Sequence, residues 1–147
     1  MRLAPILFLM LAAPVSALHA QTAADSASIR QAALDYIEGW YTGDAERVAR
    51  AVHPALAKRN VHPDPESGRS TLREMSADEL VESTREGGGR DTPRSELRQG
   101  VDILDIYERA ASVRIAATDF VDYLHLAKAD GRWAIINVLT ELRPEAP

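Results

Sequence analysis

Apolar residues recur every three or four positions in the first half of the chain, and every second position in the last third. In "SASIRQAALDYIEGWYTGDAERVARAV", Ile29, Ala32, Ala33, Tyr36, Ile37 and Trp40 form one stripe of an amphipathic helix. Ser28 is placed to cap its start, and "YTGD" to break it. Asp44 can cap a second, shorter helix carrying Val48, Ala49 and Val52, which His53-Pro54 stops. "LAKRNV" reads as a short strand and "HPDPESGRS" as a loop. "SADELVESTREGGG" is a third helix with a capping box at Ser76 and Glu79, ended by Gly87-Gly88-Gly89.

From "VDILDIYE" onward the period is two. "AASVRIAAT", "FVDYLHLAKA" and "RWAIINVLTEL" follow as strands, the last two joined through Asp130-Gly131, a two-residue hairpin signal. Helices first and strands afterwards predict an α+β fold. Strand parity puts Val121, Tyr123, His125 and Ala127 on one face, and Phe120, Asp122, Leu124, Leu126 and Lys128 on the other. In the last strand it sets Trp133, Ile135, Asn137 and Leu139 against Ala134, Ile136, Val138 and Thr140. Both faces are partly apolar, as for a sheet that meets helices on one side and a partner subunit, or a pocket, on the other.

The beginning of the 147-residue chain has another character. Arg2 precedes an apolar run from Leu3 to Val15, followed by the small residues Ser16, Ala17 and Ala20. This is the layout of a secretory signal peptide over residues 1–20, with cleavage after Ala20 or Ala17. Residues 21–147 then form a single domain, and the expected localisation is periplasmic or secreted. The formal charge of −5 is spread along the chain with no basic stripe, which disfavours nucleic-acid binding. There is no cysteine, hence no disulfide or thiol chemistry. No membrane association is expected once the leader is removed.

"ASVRIAATDFVDYLHLAKADGRWAIINVL", after "ALDYIEGWYTGD" and together with "SADELVEST", resembles the putative lumazine-binding family of the NTF2-like (SnoaL-like) superfamily. The likeness runs from about Ser28 to Leu142. Thr140 departs from it, since the resemblance implies an aromatic there. The resemblance implies a cone, with N-terminal helices packed on a strongly curved antiparallel sheet, a cavity at the open end, and often a homodimer through the sheet. It implies no particular reaction and no cofactor.

The candidate ligand-binding residues are Tyr36, Trp40, Tyr123, His125 and Asn137. His125 could serve as general base, with Tyr123 or Asn137 polarising an oxygen, or it could pack at a subunit seam. Asn137, an amide in an apolar strand, must find a ligand, a backbone group or its symmetry mate. Tyr36 and Trp40 could meet a flat ligand or simply fill the core. Asp35 falls on the outer side of its helix. His53, His62 and His125 match no zinc spacing, so no metal is expected. Lys58-Arg59 could hold an acidic ligand at a rim or be solvated. Three readings result: a small-molecule binder without established catalysis, an isomerase or dehydratase using His125, and a structural homodimer with a filled interior.

Overall fold

The computed structural model describes residues 15–143, with side chains from 23 onward except that of Glu96. Helix α1 (Val15–Thr42) is followed by α2 (Ala45–Ala51), strands β1 (Val52–Asp64) and β2 (Arg69–Ser76), and helix α3 (Ala77–Arg85). After a single 3-10 turn come β3 (Gln99–Tyr107), β4 (Ala110–Ala117), β5 (Phe120–Ala129) and β6 (Arg132–Leu142). Among the described residues, no helix is long and apolar enough to cross a membrane.

The six strands form one sheet in the order β2-β1-β6-β5-β4-β3. The expected strongly curved antiparallel sheet, and with it the cone, is corrected here. The sheet is mixed, because β1 runs parallel to β6, and it is open, with β2 and β3 as free edges and no strong curl. The parallel pairing has a simple cause. Two whole elements, β2 and α3, and then three strands separate β1 from β6, so β6 reaches β1 by a long path rather than by a hairpin.

The helices cover one sheet face. Ile29, Ala33, Tyr36 and Ile37 of α1 pack with Val113, Ile115, Leu124, Leu126, Ile135 and Val138 in one apolar core. Burying aliphatic side chains of this kind contributes roughly 1.5–3 kcal/mol each. The other face is open and carries Arg59, Arg114, Tyr123, His125 and Leu139.

Several local expectations hold. Asp44 caps α2 by accepting from the Arg47 N–H, and the Ser76–Glu79 capping box is formed in both directions. Asp130 and Gly131 take φ of +51° and +77°, the mirror-image turn that suits a two-residue hairpin. Others do not hold. Ser28 lies inside α1, not at its start. Residues 1–14, the bulk of the expected leader, lie outside the described residues. His62-Pro63-Asp64, expected to open a loop, extends β1, and Arg69-Ser70, expected to close it, begin the edge strand β2. Strand β2 was illegible because nearly all of it is exposed, so it lacks the apolar alternation that marks a half-buried strand.

Candidate functional site

Four polar side chains from four elements meet beneath the helices. Tyr36 of α1 is 3% exposed, Lys58 of β1 7%, Asp122 of β5 0% and Thr140 of β6 4%. Lys58 Nζ donates to the Tyr36 hydroxyl at 3.0 Å and to Thr140 Oγ1 at 2.5 Å. Each hydroxyl then donates to Asp122: Tyr36 to Oδ2 at 2.7 Å and Thr140 to Oδ1 at 2.5 Å. The result is a closed ring in which two hydroxyls bridge an ammonium and a carboxylate that stand 3.6 Å apart. The ammonium also lies 5.7 Å from the Tyr36 ring centroid and 5.8 Å from that of Phe120.

The register explains the assembly. Asp122 faces Thr140 across the β5–β6 ladder, and β1 runs alongside β6 with Lys58 opposite Val138. Asp122 alternates with Leu124 and Leu126, so the rule that buries those leucines buries the carboxylate as well. Burial shifts the two basic or weakly acidic members. It pushes the Tyr36 hydroxyl well above its ordinary pKa, with the Asp122 charge adding to the effect. It pulls Lys58 below its ordinary value, against the opposing pull of Asp122. Further along the same face of β1, Asn60 Oδ1 and His62 Nε2 are buried without a hydrogen-bond partner among the described residues.

The residues expected to form the site are divided between the two sheet faces. Tyr36 belongs to the ring. Trp40, one turn further along α1, is half-buried and packs under the Gly88-Gly89 backbone. Tyr123, His125 and Asn137 sit together on the open face. His125 and Asn137 are cross-strand neighbours, with Nδ1 and Nδ2 3.4 Å apart, and Arg59 donates to Asn137 Oδ1 at 3.3 Å. His125 has no orienting carboxylate among the described residues. His53 accepts the Ala55 N–H, and the three histidines are not brought together. Among the described residues no group of three metal-ligating side chains occurs. Asp35 is bound by Arg47 at 2.7 Å.

Asp122 and Thr140 were not singled out as site residues from the sequence, and Lys58 was read only, with Arg59, as a pair that could hold an acidic ligand at a rim or be solvated. Parity carried a signal for Asp122. For Thr140 it was hidden by a bulge: the β5–β6 register shifts between His125 and Leu126, so Ile135 and Val138 both face the helices while Ile136 is exposed. Simple alternation would have set Ile135 and Val138 on opposite faces.

Comparison with solved structures places the fold. An NTF2-like protein of unknown function from Shewanella baltica OS155 superposes with a TM-score of 0.64 at 20% identity, over 84% of this chain and 97% of that one. An NTF2-like protein of unknown function from Silicibacter pomeroyi DSS-3 gives 0.65 at 16% identity, over 83% and 98%. An NTF2-like protein with a cystatin-like fold from Novosphingobium aromaticivorans gives 0.66 at 11% identity, over 93% and 94%. No curated protein matches the chain. Residues 24–139 match the model of the family described as putative lumazine-binding, and the chain belongs to that family, with an NTF2-like fold.

Proposed function

We propose that this chain is a small-organic-molecule-binding domain without established catalysis, exported to the periplasm or beyond by its leader and paired with a second copy through the open sheet face. The observation that carries the binding role is the ring of Tyr36, Lys58, Asp122 and Thr140 inside a largely apolar core. A buried ion pair recovers its desolvation cost only with good geometry and further hydrogen bonds, and hydrophobic residues of similar volume often do as well or better. Such a ring is more readily understood as a recognition element than as a stabilising one. Its hydroxyl links can be exchanged one for one with a polar group of a ligand, while Trp40 stands one turn away for an aromatic or alicyclic body. The pairing is supported by Tyr123, Ile136 and Leu139, all exposed on the open face among His125, Asn137 and Arg59.

One observation favours a second reading, a dimer whose interior is simply filled. The Tyr36 hydroxyl both donates and accepts within the ring, so its hydrogen bonds are complete without a ligand. One experiment separates the two: native mass spectrometry and a crystal structure of the chain purified from its own host. Added mass, with density touching Tyr36 or Lys58, supports the binder. A bare dimer with the ring closed supports the structural reading.

A further inference from the structure

An open groove lies away from the ring. It encloses about 720 Å³ between the C-terminal end of α1, the start of α2 and the segment leading into β3. Arg47, Arg90 and Arg94 line it, and among the described residues Glu38 is the one carboxylate that does. That carboxylate is already bound by Arg47, which also holds Asp35. Among the described residues, neither Arg90 nor Arg94 is paired with a carboxylate. In a chain of net charge −5 this is a local reversal of sign.

Arg90 is held in place. Its Nε donates to the Thr42 carbonyl at 3.1 Å, and its guanidinium lies against Gly43, where any Cβ would collide with it. Gly43 has φ of +69°, a conformation that itself favours glycine. The segment that carries Arg90 is bolted to α1: the Gly89 N–H donates to the Trp40 carbonyl at 3.3 Å, and a Cβ on Gly88 would stand 2.7 Å from the Trp40 ring. On the far side Thr92 donates to Asp119 at 3.3 Å. The two glycine motifs, "YTGD" and "GGGR", therefore act as one device that seats a guanidinium with its terminal N–H groups left over. Such a fork matches the two oxygens of a carboxylate or phosphate. Tyr41 and Leu97 supply an apolar wall for a carbon skeleton. The volume is within the range of small-molecule sites.

We propose that this groove binds a small organic oxyanion, a carboxylate or a phosphate ester, between Arg90 and Arg94. The site is independent of the ring at Tyr36. The test is a titration of the ¹⁵N-labelled chain with sodium succinate and, separately, with phenyl phosphate, at constant ionic strength and with sodium chloride as the control. Saturable shifts of the Gly43, Gly89 and Thr92 amides are expected with one or both probes, and the probe that binds more tightly names the oxyanion. R94Q and R90Q should each weaken binding about tenfold or more, while R114Q on the open face should leave it unchanged. Should R90Q disturb the fold, R94Q decides, since Arg94 is exposed and its side chain braces no other segment. Absence of saturable shifts with both probes, equal shifts with chloride, or unchanged affinity in R94Q would overturn the proposal. R94Q leaves the Tyr36 ring untouched, so binding that survives R94Q belongs to the ring and binding lost with it belongs to the groove.

Discussion

Tyr36 and Asp122 stand 86 positions apart in the chain and share a 2.7 Å hydrogen bond with no access to solvent at the carboxylate. The phenol joins the first helix to the middle of the sheet, and the carboxylate receives both of the hydroxyl groups that Lys58 engages. Tyr36→Phe deletes a donor to Asp122 and an acceptor for Lys58. A loss of about 1–3 kcal/mol is expected in urea unfolding. A variant as stable as the parent would mean that water replaces the hydroxyl.

Lys58→Met leaves the Asp122 charge buried with two hydroxyls and no cation. The expected cost is about 3–5 kcal/mol. Lys58→Met combined with Asp122→Leu should recover much of that cost, because the uncompensated charge is gone. A double-mutant cycle by chemical denaturation measures the coupling, and simple additivity would disprove it.

The alkaline limb of stability carries the Tyr36 signature. Its folded pKa is raised by burial, so the folded chain holds the phenolic proton where the unfolded chain begins to lose it. That stabilisation is complete below about pH 10 and falls away as pH rises further. Tyr36→Phe should flatten this limb, as read from urea midpoints between neutral and strongly alkaline pH. Lys58, whose folded pKa is lowered, acts with the opposite sign, its contribution rising with pH toward its unfolded value.

On the acid side Asp25 is the marker. The Lys128 ammonium and the Trp133 indole N–H donate to it at 2.6 and 3.0 Å and hold its pKa below the ordinary carboxylate value. Its stabilisation is present above the ordinary value and is lost as pH falls through the lowered one. Trp133 fluorescence should change in that acid window, and Asp25→Asn should remove the change.

Leu139→Glu places a carboxylate in the middle of the exposed apolar patch, beside Tyr123. Sedimentation equilibrium should show a dimer for the parent chain and a monomer for this variant, with His125→Ala weakening association to a lesser degree. A parent chain that is monomeric at high concentration would remove the pairing from the proposed function.

The backbone plan was largely legible because it rests on short-range physics. Capping at Asp44 and Ser76, the Asp130-Gly131 turn and the apolar alternation of β4 and β5 are each decided within a few residues. Among the expected site residues, Tyr36 was placed on the helix face that turns inward, and Tyr123 and His125 on a common face. What could not be read was which faces join. Lys58 was read with Arg59 as one basic pair, at a ligand rim or solvated, although the two point to opposite sides of β1.

The sequence by itself therefore determined the helices, five of the six strands, the hairpin and the family, because propensity, capping and period act locally. Tertiary structure alone decided that β1 lies parallel to β6, that a bulge in β6 turns Val138 and Thr140 to the same side as Ile135, and that an ammonium, two hydroxyls and a carboxylate close a ring. It also decided that two distant glycine motifs seat one arginine. These are long-range matters. A side chain's partner across the sheet is set by strand order and register, and neither is encoded within any window of neighbouring residues.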